Sequence, residues 1–160
     1  MRLLSALIPS VCFLVSACGG REEEDDALLE ARQRLLGTYD VTGTLTIITN
    51  GVSSSQPASE TLVLQSGTER EALTLELSVL GCTLRGKMLG ERAFTLQSRT
   101  CALPPDDACT STLGIANGSG SLTGDGLAVS LEAQRITQCG GPTTSRPITL
   151  TLSGPRRGRN

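Results

Sequence analysis

The fold is decided by the stretch Tyr39-Asp40-Val41-Thr42-Gly43-Thr44-Leu45-Thr46-Ile47. Apolar and polar side chains alternate along it, and a period of two is typical of a β-strand with one face in the core. One face of the predicted strand carries Tyr39, Val41, Leu45 and Ile47. The other face carries an aspartate and three threonines, which we expect to meet solvent.

The same alternation recurs along residues 37–153, which we predict to form one β-domain. Turn signals separate the runs, and the sequence Thr123-Gly124-Asp125-Gly126 is typical of a hairpin. Glycines weaken the sixth run, where we expect a β-bulge. Longer loops are expected near residues 50–57, 103–107 and 140–145, because they are rich in glycine, proline and small polar residues. The predicted strands lie near residues 39–47, 61–65, 73–79, 82–88, 92–100, 109–122, 127–134 and 148–152.

About eight short strands with short connections predict a mainly β fold, an antiparallel up-and-down sheet. Such a sheet has to close or to pack on another sheet, because its apolar face needs cover and its edges need protection. We predict a small barrel, with a two-sheet β-sandwich as the alternative. The opening Gly37-Thr38-Tyr39 resembles the Gly-x-Trp opening of lipocalins, with a tyrosine in place of the tryptophan. This resemblance implies a barrel that carries a small apolar ligand.

Two segments flank the β-domain on its N-terminal side, and one follows it. Residues 27–36 are predicted to form a short helix between the cap Asp26 and the stop signal Gly37. Its leucines lie on one stripe, and its charged side chains are expected in solvent. Residues 18–26, which comprise Cys18 and an acidic run, are expected to form a solvated tether. Residues 154–160 are expected to form a flexible tail.

The chain begins with features of a signal peptide. Arg2 is the only charge before position 21. The apolar stretch that follows it runs from Leu3 to Ala17 and is shorter than the ~20 residues that span a bilayer. The sequence Leu14-Val15-Ser16-Ala17-Cys18 resembles the lipobox of bacterial lipoproteins. This resemblance implies that residues 1–17 are removed and that Cys18 becomes the lipid attachment site, acylated on its thiol and on its new amino group.

Several acyl chains on one residue would make the anchor stable, because two chains already suffice for lasting attachment to a membrane. Gly19 and Gly20 follow the cysteine. In lipoproteins, an aspartate at the second mature position tends to retain the protein in the inner membrane, and none is present here. We therefore expect a lipid-anchored protein of the cell envelope, at the outer membrane of a Gram-negative bacterium.

Four cysteines remain in the mature chain, and disulfides persist in the oxidising cell envelope. Facing residues of a hairpin have a constant sum of position numbers. A turn centred on Gly124-Asp125 gives 249, and Cys109 with Cys139 gives 248. A turn centred on Gly90-Glu91 gives 181, and Cys82 with Cys101 gives 183. We therefore predict the disulfides Cys82–Cys101 and Cys109–Cys139, all four residues lying at one end of the sheet.

Four cysteines allow other arrangements. Cys101–Cys109 together with Cys82–Cys139 is the alternative pairing, which would clip the loop that contains Pro104 and Pro105. A zinc site is disfavoured, because the chain has no histidine and no Cys-x-x-Cys spacing.

Composition limits the function classes. The whole chain has a formal net charge of −2, and the signal peptide removes one more positive charge, so the mature chain is mildly acidic. This argues against a nucleic-acid partner. Without histidine the usual serine and cysteine catalytic triads cannot be built, and Lys87, the only lysine, lies in no Ser-x-x-Lys motif. Asp106 and Asp107 are adjacent, but a loop lacks the burial that separates carboxyl pKa values. We therefore expect no enzyme and no cofactor.

Two functions remain from the sequence. The first is a lipid-anchored envelope lipoprotein whose β-domain is a non-enzymatic structural or interaction module with a protein partner. The alternative is a lipocalin-like carrier of a small apolar ligand or lipid, which requires a hollow interior with an open mouth.

Overall fold

The structure is a computed structural model that describes residues 20–105 and 109–158. One helix, α1, spans Gly20–Leu35. Nine strands follow: β1 (Gly37–Thr49), β2 (Val52–Ser66), β3 (Ala72–Leu77), β4 (Cys82–Leu89), β5 (Ala93–Leu96), β6 (Arg99–Ala102), β7 (Thr110–Thr123), β8 (Gly126–Gln138) and β9 (Thr144–Pro155).

All nine strands belong to one antiparallel sheet whose hydrogen bonds run around a complete ring. Strands that follow each other in the chain pair with each other, except that β5 and β6 both pair with β7. The ring closes because β1 pairs with β9 as well as with β2. The prediction of a mainly β, up-and-down antiparallel fold with a short N-terminal helix is confirmed, and the strands do not divide into the two sheets of a sandwich.

The fifth predicted strand is two strands in the structure. The chain breaks from β-structure at Gln97 and Ser98, between β5 and β6. Both pieces lie along the same neighbour, since β5 pairs with residues 118–121 of β7 and β6 with residues 112–115. The ring therefore has eight positions although it has nine strands.

The loop predicted near residues 50–57 is wrong, because only Asn50 and Gly51 form the turn. Both have positive φ, 52° and 79°, as the tightest hairpin turn requires. β2 therefore starts at Val52 and pairs with β1 from Val52 to Leu64. Pro57 is tolerated there because β3 pairs with β2 only from Leu62 onward, so this part of β2 is an edge.

The helix begins at Gly20 and not at residue 27, so the acidic run expected to be a tether is helical. Residues 20–26 contain no proline, so the helical backbone hydrogen bonds can begin before the expected cap Asp26. Gly37, with φ 153°, follows the end of the helix. Ala31 and Leu35 are buried against the ring. Arg32 does not stay in solvent: it is half-buried and donates to the carbonyl oxygens of Glu69 and Arg70, at 2.8 and 2.7 Å.

The expected flexible tail 154–160 is ordered up to Arg157. β9 continues to Pro155, and Arg156 then forms a bridge with Tyr39. The Arg157 amide donates to the Thr38 carbonyl at 2.8 Å, and its guanidinium contacts both carboxylate oxygens of Asp40, at 2.5 and 2.9 Å. The closing pair β1–β9 explains the difference, because it holds the chain after β9 beside the start of β1.

The interior of the ring differs between its two ends. The helix end, where α1 meets the β2–β3 turn, is filled by fully buried side chains: Leu35, Tyr39, Val41, Leu62, Leu64, Leu73, Phe94 and Leu127. The Phe94 ring occupies the space where a side chain at position 120 would point, which explains the glycine there. The opposite end, formed by the β1–β2 turn, the β3–β4 turn and the connections β6–β7 and β8–β9, is called the open end below.

Candidate functional site

The four cysteines in the described part of the chain lie at the open end, in the predicted pairs. Cys82 and Cys101 are disulfide-bonded with their Cα atoms 5.7 Å apart, and Cys109 and Cys139 are bonded with a Cα separation of 4.2 Å. The first bridge joins β4 to β6, two strands that are not hydrogen-bonded to each other. The second joins the β6–β7 connection to the β8–β9 connection. Both disulfides therefore hold together the walls of the open end.

Between these walls lies an apolar cavity of about 230 Å³ that opens to solvent. Aliphatic side chains from the inner faces of β1, β7, β8 and β9 form most of its lining. Val79, Leu80 and Leu103 contribute from the turns at the mouth. The whole lining is Leu45, Ile47, Gln56, Ala58, Ser59, Glu60, Val79, Leu80, Leu103, Leu113, Ile115, Leu131, Ala133, Arg135, Ile148, Leu150 and Leu152.

Small side chains on the inner face leave this space. Ala58 and Ala133 lie on the inner face at the open end, whereas the inner face at the helix end carries leucines and aromatic rings. Three other small residues of the alternating strands, Gly86, Ala93 and Gly114, do not line this cavity. The space beside Gly86 is taken by Leu96 and the backbone of β5.

One carboxylate lines the cavity, that of Glu60, which is only 7% exposed. Its Oε1 accepts hydrogen bonds from the amides of Thr61 and Val79, at 2.8 and 2.7 Å, and its Oε2 accepts one from the Leu80 amide at 3.3 Å. β3 ends at Leu77, so the amides of Val79 and Leu80 have no strand partner, and Glu60 satisfies them. The alternation of residues along β2 could have indicated this position, because Glu60 lies on the same face of the strand as Leu62 and Leu64.

Arg135 is the only cation in the lining. It lies on β8 beyond Ala133, on the same inward face, and it is exposed at the mouth. Its Nη2 lies 3.5 Å from the Ser111 hydroxyl oxygen, at the long limit of a hydrogen bond. A cation is thus placed where the apolar cavity meets solvent.

The helix end is closed by a buried phenol and an arginine. The Tyr39 hydroxyl donates to the Leu35 carbonyl at 2.8 Å. Burial raises the pKa of Tyr39 above its ordinary value of 10.0, against an opposing effect of nearby Arg156. Arg156 donates from its guanidinium to the Leu36 carbonyl. These contacts fix the end of α1 over the ring.

Lys87 lies on the outer face of β4, where its ammonium is 2.7 Å from a carboxylate oxygen of Glu71. This hydrogen bond and the charge of Glu71 raise the pKa of Lys87. The residue is solvated and lies away from the cavity.

Several predicted site residues lie outside the described part of the chain: Cys18 with the signal peptide before it, and Asp106 with Asp107. In residues 20–105 and 109–158 no group of three or more histidine, cysteine, aspartate or glutamate residues could hold a metal ion. Over the same residues the only helix is not long and apolar enough to cross a membrane.

The fold and cavity define the chain as a disulfide-linked, closed antiparallel β-domain with one open apolar end. No protein-family model matches this chain, and no curated protein is similar to it at a significant level.

Proposed function

We propose that this protein is a carrier that binds a small apolar ligand at the open end of its β-domain. The observation that carries the proposal is the cavity of about 230 Å³, lined by aliphatic side chains and connected to solvent. A dry apolar cavity of about 150 Å³ already binds benzene, and pockets for drug-sized ligands start at about 300 Å³. The cavity therefore suits a ligand somewhat larger than benzene, or one apolar chain.

The chemistry of the lining supports binding rather than catalysis. Its one carboxylate already accepts three backbone hydrogen bonds, which leaves it poorly placed to exchange protons with a substrate. Among the residues that the structure describes, no second carboxylate lines the cavity, so these residues do not supply the paired acid and base of a glycosidase-type hydrolase. We infer that the domain holds its ligand unchanged.

We also propose that Cys18 anchors the carrier to the cell envelope, at the outer membrane of a Gram-negative bacterium. The support is the lipobox-like stretch that ends at Cys18. Intact mass spectrometry of protein extracted from its own membranes tests this directly, because the denatured mass reports the loss of residues 1–17 and the added acyl chains. Cys18→Ala should accumulate as an unlipidated precursor, and normal maturation of that variant would refute the anchor.

A second candidate function is a structural or interaction module that binds a protein. The observation that favours it is a set of exposed apolar side chains around the open end, with Val52 and Val79 each 69% exposed and Ile48 40% exposed. A partner that covers this rim would bury them. Native mass spectrometry separates the two functions, because a carrier retains a small molecule and an interaction module retains a protein.

A matched pair of variants tests the cavity itself. Ala133→Phe places a ring inside the cavity, whereas Ala128→Phe places the same ring on the outer face of the same strand. We expect the neutral dye N-phenylnaphthylamine to bind the membrane-extracted protein in nanodiscs, with empty nanodiscs as the blank. Ala133→Phe should abolish the binding and Ala128→Phe should retain it. Equal binding by both variants would show that the dye does not use the cavity.

A further inference from the structure

We propose that the ligand is an amphiphile with an anionic head group, whose apolar chain lies in the cavity and whose head is bound at the mouth by Arg135 and Arg146. This inference rests on the proposed carrier function and names the chemical class of its ligand. It follows from the strand register at the open end, from the charges there and from the hydrogen bonds that Glu60 accepts.

The register places the two arginines side by side. β8 and β9 pair so that Ala133 is opposite Ile148 and Arg135 is opposite Arg146. Directly opposed residues of an antiparallel pair point to the same face, and their Cβ atoms are about 5 Å apart. Ala133 and Ile148 both line the cavity, so the arginines occupy the same inward column one step nearer to solvent.

This arrangement is unfavourable without an anion. Like charges directly opposite each other destabilise a strand pair. In the part of the chain that the structure describes, neither guanidinium has a carboxylate within ion-pair distance. Both side chains are exposed, so each can reach a ligand at the mouth. An anionic head between them would convert the repulsion into two charge-assisted contacts, which suit the forked donors of arginine.

The inner part of the site favours the tail of such a ligand over a second charge. Below the arginines the walls are aliphatic, with Leu131 and Leu150 paired across β8 and β9. Glu60 could attract a cationic head instead, but three amides already donate to its carboxylate. The polarity of the cavity thus runs from apolar inside to cationic at the mouth, which matches an anionic amphiphile entering chain first.

Three ligands with the same chain test this inference: octanoate, octanol and octylamine. Each is titrated calorimetrically into the membrane-extracted protein in neutral-lipid nanodiscs, with empty nanodiscs as the blank. We expect octanoate to bind most tightly. Added salt should weaken the binding of octanoate and leave the binding of octanol unchanged. The double variant Arg135→Gln/Arg146→Gln should lower the affinity for octanoate about fivefold to tenfold, the range for two partly exposed charged contacts. Its affinity for octanol should stay within about twofold of the unaltered protein's value.

Arg34→Gln/Arg85→Gln is the control, because it removes the same charge from exposed arginines away from the mouth. Octanoate should bind this variant as it binds the unaltered protein. Equal affinity for octanoate and octanol, or tightest binding of octylamine, would contradict the proposal of an anionic head group. Neither result would contradict the carrier function. If none of the three ligands binds, the carrier function itself fails.

Discussion

Cys109 faces Cys139 across the β7–β8 hairpin because one extra residue is inserted in β7. Next to the turn the paired positions follow the register Thr123 with Gly126, and beyond a shift between Ile115 and Asn117 the pairing moves by one residue. Without this bulge, position 109 would face position 140 instead of Cys139. The bulge thus sets the geometry of the disulfide at the far end of the same hairpin.

The connectivity predicts which cysteines can be removed without freeing a thiol. Replacing Cys109 and Cys139 together by alanine should leave the Cys82–Cys101 bridge intact, with the same number of free thiols after denaturation as in the unaltered protein. The unfolding free energy should fall by about 3 kcal/mol, the usual magnitude for one disulfide. Thiol titration in denaturant and urea unfolding measure the two effects. Two additional free thiols in this variant would favour the alternative pairing, Cys101–Cys109 with Cys82–Cys139.

Tyr39 offers a spectroscopic test of the closed helix end, because it is the only tyrosine and the chain has no tryptophan. Burial raises its pKa above 10.0, so the folded protein keeps the phenol proton at a pH where the unfolded chain loses it. The contribution of Tyr39 to the unfolding free energy should therefore be constant below about pH 10 and fall as the pH rises toward the raised pKa. The near-ultraviolet absorbance of tyrosinate follows this titration. Ionisation at the ordinary pKa in the folded protein would contradict the buried phenol.

Tyr39→Phe separates the hydroxyl from the ring. The variant retains the packing and loses the hydrogen bond to the Leu35 carbonyl. We therefore expect a loss of about 1 kcal/mol in unfolding free energy at neutral pH. Its alkaline unfolding should lose the part of the pH dependence that comes from the phenol. An unchanged alkaline profile would mean that other groups cause it.

The sequence predicts the parts of this fold that depend on neighbours in the chain. Alternation predicts the strands, and the turn at Gly124-Asp125 predicts a register that brings Cys109 within one residue of Cys139. The bulge expected from the glycines of the same strand supplies the remaining step. The break between β5 and β6 was missed, because nothing local to Gln97 and Ser98 marks it. It depends on how β7 is shared between two strands.

The cavity could be predicted only in outline, as an alternative that needed a hollow interior. Parity alone places Glu60 and Arg135 on the inner face, but which inward residues meet depends on contacts around the ring. The pairing of Arg135 with Arg146 requires the β8–β9 register. The glycines and proline at 140–142 predict a loop between the two strands, but they do not fix its length or the register beyond it. These are long-range relationships, which period and turn chemistry do not encode.

The ion pair between Asp40 and Arg157 links the tail to β1, and we expect its contribution to the unfolding free energy to be lost in acid. The hydrogen bond from Arg157 lowers the pKa of Asp40 below its ordinary value of 3.8. The stabilisation is therefore present above about pH 4 and is lost as the pH falls through the lowered pKa. The unfolding free energy of Asp40→Asn should lie below that of the unaltered protein at neutral pH, and the two values should converge as the pH falls through the lowered pKa. High salt should reduce the difference at neutral pH, because the pair is exposed. Equal unfolding free energies at neutral pH and low salt would show that the ion pair does not help to close the ring.

We expect the buried carboxylate of Glu60 to stabilise one wall of the cavity through its hydrogen bonds to the turn after β3. Glu60→Ala leaves the amides of Val79 and Leu80 without their acceptor. For these two unsatisfied donors we expect a loss of about 2 kcal/mol in unfolding free energy. Glu60→Gln keeps one carbonyl oxygen as an acceptor and should lose less.

Glu76→Ala is the matched control for Glu60→Ala, because Glu76 is an exposed glutamate on the neighbouring strand β3. A surface substitution of this kind should change stability by less than about 0.5 kcal/mol. Urea unfolding of the three variants measures the differences. If Glu60→Ala unfolds at the same urea concentration as this control, the three hydrogen bonds contribute nothing, and the turn that carries Val79 is held by packing alone.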